Sequence, residues 1–177
     1  MMNPFKLLRC SFVVLIGLTG LSVFALSAAL YSEVALGLEP CILCIYQRIP
    51  FAIVILLGLT GTALKKKPPI PRAMVGLSGI AFLINSGIAF YHTGVEQKWW
   101  TSGVEGCAAP NFGDEEPQSM LENILSAPTA NCAEIPWQDP IIGLSMANYN
   151  VILCLGLFVT CAISATVFYK GTTNERN

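Results

Sequence analysis

Four long apolar stretches constrain this chain before any single residue does. They run over residues 11–31, 41–64, 73–91 and 151–169. Each holds about 18 to 24 residues, and a helix of that length rises far enough to cross a hydrocarbon core of about 30 Å. Composition agrees, with 54% hydrophobic residues, 12% charged residues and a mean hydropathy of +0.61. The predicted fold class is an all-α membrane protein. A four-transmembrane-helix bundle forms one integral membrane domain over residues 1–177, with a long outer loop.

The first stretch has some features of a signal peptide. Lys6 and Arg9 precede it, and it contains the small residues Ala25, Ser27, Ala28 and Ala29. A signal peptide's apolar region is about 7 to 15 residues long, and this run is longer, so it reads as an uncleaved span.

Charge orients the bundle. Lys6 and Arg9 lie before the first span, "KKKPPIPR" (residues 65–72) joins the second to the third, and Lys170 and Arg176 follow the fourth. With four alternating spans these basic groups share one side, and the positive-inside rule makes that side the cytoplasm, with both termini in it. The opposite side receives the outer loops 32–40 and 92–150. These carry Glu33, Glu39, Glu96, Glu105, Asp114, Glu115, Glu116, Glu122, Glu134 and Asp139, with Lys98 as their only clear base. Basic residues so few and so placed give nucleic-acid binding no support.

The long outer loop is rich in Gly, Pro, Asn and acidic residues and reads as irregular. One exception is "SMLENILS", which can form a short interfacial helix with Met120, Leu121, Ile124 and Leu125 on one face. Trp99, Trp100 and Trp137 also belong to this loop, where indole rings suit the headgroup layer.

The seven cysteines sort by topology. Cys41, Cys44, Cys107 and Cys132 fall on the outer side, Cys154 and Cys161 lie within the fourth span, and Cys10 is near the cytoplasmic boundary. The last three read as small apolar packing residues. Four cysteines in a disulfide-permissive compartment can pair in three ways, and spacing favours Cys41 with Cys44, leaving Cys107 with Cys132. The second pair alone would read as a structural staple worth roughly 3 to 4 kcal/mol. The first pair changes that reading.

Pro40 suits the first turn of a helix, which puts Cys41 and Cys44 at the N-terminal end of the second span, where orphan amides and the helix dipole favour a thiolate. Residues three apart in a regular helix have Cβ atoms about 5 to 6 Å apart, whereas a disulfide wants about 3.5 to 4.5 Å. A bridged form is therefore expected to distort that turn, which makes it easier to reduce and suits a redox centre. Arg48 follows Cys44 by four positions on the same helical face, placed to stabilise a thiolate or the charge on an electron acceptor.

The acceptor class follows by elimination. His92 is the only histidine and there is no CxxCH haem motif. The chain has no room for a soluble flavin or nicotinamide domain. A lipid-soluble quinone reaching the outer end of the bundle remains.

These features resemble the disulfide bond formation protein B (DsbB) family. The residues carrying the resemblance are "PCILCIYQR" opening the second span, "YHT" ending the third, and "CAEIPW" followed by "GLSMANYN" before the fourth. The resemblance implies a thiol:quinone oxidoreductase in the bacterial inner membrane that supports disulfide formation in exported proteins. It implies Cys41 and Cys44 as the quinone-coupled pair and Cys107 and Cys132 as the pair facing a periplasmic, thioredoxin-fold, DsbA-like oxidase. Arg48 and His92 match residues placed near the quinone, which would be ubiquinone or menaquinone. No resident metal is expected.

Three other readings have weaker support. Vitamin K epoxide reductase-type enzymes carry their loop cysteines before the CxxC, the reverse of the order here. A structural zinc or iron–sulfur site on the four outer cysteines is the alternative from a different class, although one CxxC is a weaker signal than two. A transport role would need polar groups along the spans, and only Asn85, Ser86 and a few hydroxyls stand out.

Overall fold

The computed structural model describes residues 11–67, 69–104, 107 and 130–174, with side chains described as far as residue 167. Among the described residues the elements are four helices: α1 (Ser11–Leu36), α2 (Ile42–Ala63), α3 (Pro69–Glu96) and α4 (Met146–Asn174). All four are long and apolar enough to cross a membrane. Helix is the form such segments must take, because hydrocarbon offers nothing to unpaired backbone N–H and C=O groups. The protein is a four-span, all-α membrane protein. The interfacial helix expected from "SMLENILS" and the packing role expected of Cys10 both fall outside the described residues.

Three helices run past the boundaries read from hydropathy. α1 continues to Leu36 rather than residue 31, α3 spans Pro69–Glu96 rather than 73–91, and α4 starts at Met146 rather than 151. The added turns contain polar residues that hydropathy assigns to loops. They stay helical because His92, Glu96 and Asn150 find partners inside the bundle.

Packing is that of a protein whose solvent is lipid. Phe24, Val34 and Leu56 are 72%, 88% and 65% exposed, an arrangement hydrocarbon tolerates and water does not. The shared core joins Leu15 and Leu18 of α1, Phe51 and Val54 of α2, Val75 and Phe82 of α3, and Leu157 and Cys161 of α4. Phe51 and Phe82 meet edge to face, with ring centroids 5.9 Å apart. Cys161 is the packing residue expected from its position, whereas Cys154, equally buried, is also hydrogen-bonded to two asparagines.

Small residues let the helices approach closely, as membrane packing requires. A Cβ on Gly58 of α2 would lie 1.8 Å from Thr19 Oγ1 of α1. The Thr19 hydroxyl is itself held by donation to the Leu15 carbonyl at 2.7 Å.

The two ends of the bundle differ. At one end the Lys65 ammonium lies 5.0 Å from the centre of the Phe12 ring, so the α2–α3 connection sits beside the start of α1. At the other end α3 stops in a Schellman motif. Trp99 N–H donates to the Gly94 carbonyl at 2.9 Å and Lys98 N–H to the Val95 carbonyl at 3.1 Å, with Lys98 in the left-handed region at φ 60°. Trp100 folds back over the helix, donating Nε1–H to the Tyr91 carbonyl and stacking on the Tyr91 ring. A Cβ at Gly94 would meet Trp100 Cζ2 at 2.0 Å, so the indole occupies space that only glycine leaves. Trp99 and Trp100 thus brace the end of α3 as well as facing outward.

The approach to α4 is pinned by Asp139. Its carboxylate accepts from the Tyr149 hydroxyl and from the Ile141 amide. Those two donors, the tyrosine first, hold the Asp139 carboxyl below the usual carboxylate range.

The α1–α2 approach yields a test. Gly58→Ala should cost about 1–3 kcal/mol in denaturant titrations of the detergent-solubilised protein, as overpacking does. Adding Thr19→Ala, which removes the clashing hydroxyl, should recover part of that loss. A Gly58→Ala protein as stable as the parent would mean the two helices are not this close.

Candidate functional site

The site begins with a sulfur acting as a helix cap. Cys41 is the N-cap of α2, with φ −71° and ψ 165°, and its Sγ accepts a hydrogen bond from the Cys44 amide at 3.3 Å. Serine, threonine or aspartate usually fills this role. Pro40 therefore stands one residue before the cap rather than in the first turn, a one-step correction to the sequence reading.

That step changes the geometry of the pair. Cys41 is in extended backbone, so the spacing of a regular helix does not apply. The two sulfurs, both free thiols, lie 3.0 Å apart. A disulfide bond is about 2.05 Å, so closure asks for a shift of about 1 Å between the sulfurs. The premise for expecting a distorted turn, two cysteines both within a regular helix, does not hold.

His92, near the end of α3, faces this pair. Its Nε2 is 3.5 Å from Cys41 Sγ and 3.7 Å from a carboxylate oxygen of Glu96, one turn further along. Ser145, just before α4, donates its hydroxyl to the other Glu96 oxygen and accepts the Asn148 amide hydrogen at 3.3 Å, thereby capping α4. On the other side of the ring, His92 Nδ1 is 2.9 Å from Gln47 Nε2, and Gln47 Oε1 accepts from Asn150 Nδ2 at 2.6 Å. His92, Glu96 and Gln47 are only 3%, 6% and 6% exposed, so this is a dry polar cluster in which each group depends on its neighbours.

Sequence reasoning missed Gln47, Glu96, Ser145 and Asn150. Gln47 sits inside the quoted "PCILCIYQR", and Glu96 follows His92 by four positions. That spacing has meaning only once α3 is known to extend through both.

The second pair is a disulfide between Cys107 and Cys132, with Cα atoms 4.9 Å apart. Both residues are buried, and they pack in one apolar cluster with Cys41, Leu43 and Val95, flanked by Cys44 and Tyr91. The two pairs therefore share one end of the bundle, one bridged and the other as a dithiol. Arg48, one turn beyond Cys44, pairs with Glu33 near the end of α1.

The donor set also bears on metals. Cys107 and Cys132 are bonded to each other and offer no thiolates, so the four outer cysteines do not assemble as a tetrathiolate site. Cys41, Cys44 and His92 place their ligand atoms within 4.8 Å of one another and are chemically able to hold a soft divalent ion.

A dithiol packed against a disulfide at the mouth of an apolar four-helix bundle defines a membrane thiol–disulfide oxidoreductase. The family described as "Disulfide bond formation protein DsbB" matches residues 11–164, and the chain belongs to that family. It is similar to the "Disulfide bond formation protein B" of Xanthomonas euvesicatoria pv. vesicatoria (strain 85-10), with 33% identity over 88% of this chain and 90% of the relative. The protein of that name from Xanthomonas campestris pv. campestris (strain 8004) is 34% identical over the same shares. The one from Shewanella sp. (strain MR-4) is 27% identical over 88% of this chain and 87% of the relative. No solved structure matches at the level these relatives do. The protein is thus an enzyme, a disulfide-generating thiol oxidoreductase.

The cap can be tested apart from the redox chemistry. Cys41→Ser should leave α2 as stable as in the parent, because an oxygen can take the same amide hydrogen bond. Cys41→Ala should lose about 1 kcal/mol in the same denaturant titration. Equal stability of the two variants would show that the sulfur does not cap the helix.

Proposed function

We propose that the protein reoxidises a periplasmic thioredoxin-fold, DsbA-type oxidase and delivers the electrons to a membrane quinone. The observation that carries this reading is that both cysteine pairs lie in one buried cluster at the mouth of the bundle. Exchange between them is then a local event, and the membrane is within reach of the dithiol.

Electrons and protons balance in three exchanges. A thiolate of the reduced partner attacks Cys107, breaking its bond to Cys132, and the partner's second thiol resolves the mixed disulfide. The partner leaves oxidised, and Cys107 and Cys132 are left as a dithiol. One of these thiolates then attacks the Cys41–Cys44 bridge through an interloop disulfide. Resolution restores the Cys107–Cys132 bridge and leaves Cys41 and Cys44 reduced.

Quinone, when bound, supplies the sink for two electrons and two protons that returns Cys41 and Cys44 to the disulfide. The residues fit that task. Cys44 is only partly buried, the Arg48 side chain is 23% exposed on the same helix, and His92 backs Cys41 at 3.5 Å. Arg48 would hold the ring and its developing negative charge from the lipid side. The helix N-terminus favours the thiolate form of Cys41, the cap residue, as exchange requires.

The setting is the bacterial inner membrane with the cysteine end facing the periplasm. Support comes from the basic residues 65–67 at the opposite end of the bundle, beside the start of α1. On this topology both termini are cytoplasmic. Cys107 and Cys132 are 2% and 0% exposed, so attack by the partner requires that this pair first be uncovered.

Quinone absorbance, followed while purified protein is mixed with a reduced thioredoxin-fold oxidase, tests the scheme. The parent should turn over with ubiquinone or menaquinone, and Cys44→Ser and Cys107→Ser should fall to the uncatalysed rate. Full turnover by either variant, or none by the parent with either quinone, would rule this relay out.

A further inference from the structure

We infer that Asn85, Cys154, Asn150 and Gln47 form an oriented hydrogen-bond chain through the bundle that locks His92 in the tautomer presenting Nε2–H to the Cys41 sulfur. This inference rests on the proposed redox role of Cys41 but concerns residues which that role leaves unexplained.

The chain is read from its deep end. Asn85 of α3 is fully buried and donates Nδ2–H to Cys154 Sγ of α4 at 3.3 Å. With its sulfur accepting there, the Cys154 thiol donates to Asn150 Oδ1 at 3.2 Å. Asn150 must then turn its NH2 outward, and it donates to Gln47 Oε1 of α2 at 2.6 Å. An amide cannot offer oxygen at both ends, so Gln47 presents its NH2 to His92 Nδ1 at 2.9 Å.

That contact decides the tautomer of the neutral ring. An NH2 group can only donate, so Nδ1 must accept and carry no proton. In the neutral ring the proton is then on Nε2, the atom 3.5 Å from Cys41 Sγ and 3.7 Å from Glu96. The Nε2 proton is then available to the Cys41 sulfur when the Cys41–Cys44 bridge is open, with the Glu96 carboxylate as the neighbouring acceptor.

The direction of the chain matters as much as its existence. If Gln47 were free to turn over, its oxygen would face Nδ1, and Nε2 would present a lone pair to the sulfur. Such a ring would repel a thiolate instead of stabilising it. Asn150 prevents the turn, and Cys154 and Asn85 hold Asn150. The four are positioning residues, acting on the sulfur only through His92. They also account for a buried cysteine and a buried asparagine deep in the bundle, where unpaired polar atoms are costly. The Asn85 Oδ1 atom has no partner among the described residues.

His92 is the only histidine in the chain, so histidine labelled with 15N gives a single imidazole in the spectrum. With the detergent-solubilised protein reduced at Cys41 and Cys44 and held at pH 8, the spectrum should show a bare Nδ1 and a protonated Nε2. Asn150→Leu should abolish that preference, giving a mixture of tautomers. Cys154→Ser, which keeps both a donor and an acceptor, should preserve it. Alkylation at Cys41, read by mass spectrometry at the same pH, should slow about fivefold in Asn150→Leu, the order of one lost hydrogen bond.

A protonated Nδ1 in the parent would overturn the inference, and so would a parent-like spectrum and alkylation rate in folded Asn150→Leu. Retention of the Cys107–Cys132 disulfide and of helical content shows that the variant is folded. Should Asn150→Leu not fold, Gln47→Met replaces it with the same expectations and the same overturning result. Neither readout involves quinone or partner. Failure of the relay to quinone would therefore leave this result standing, and the reverse holds too.

Discussion

Gln47 and His92 hold the first turns of α2 against the last turns of α3, and the mouth of the bundle is built on that contact. Lipid gives helices no hydrophobic reason to associate, so packing and interhelical hydrogen bonds must supply specificity. Here a single amide–imidazole pair brings the cysteine cap of one helix to the histidine of another. Asn150 then draws in α4 through the same amide, so three helices are registered by two adjacent bonds. Each such bond contributes modestly to stability, but leaving either partner unpaired in hydrocarbon costs more than the bond itself contributes.

The cysteine pair inherits its chemistry from that placement. A sulfur at an N-cap is outside the helix yet tied to it by the Cys44 amide, which holds it beside Cys44. Packing against the Cys107–Cys132 bridge sets the two cysteine pairs side by side in one apolar cluster. Glu96 adds a carboxylate on the same face of His92, steadied by the Ser145 hydroxyl that also caps α4. One small region thus carries two helix caps, two cysteine pairs and a buried acid, at the point where the helices emerge from the apolar layer.

Arg48 shows how the helices divide tasks. It follows the pair on α2 but pairs with Glu33 of α1, across the short connection between the two helices. An arginine near the end of a span gains from such a partner, which offsets the cost of leaving water. The pair also ties α1 to the mouth, as the Gly58 approach ties it lower down.

The sequence by itself determined the number of spans, the separation of basic and acidic ends, and which cysteines stand together in two pairs. Those features are local: apolar length sets a span, and CxxC beside an arginine is read in one stretch. The polar cluster was not legible, because Gln47, Glu96 and Asn150 look like ordinary polar residues at helix ends and are separated by many positions in the chain. Hydropathy even placed His92, Glu96 and Asn150 in loops, since it averages over a window and cannot see that a polar side chain has a buried partner on another helix. Cys154 read as packing for the same reason. Only the tertiary structure decided that these residues meet, that Cys41 caps α2 instead of lying within it, and that the bridged pair rests on the open one. Each is a relation between helices, fixed by pairing buried polar atoms that no single segment can satisfy alone.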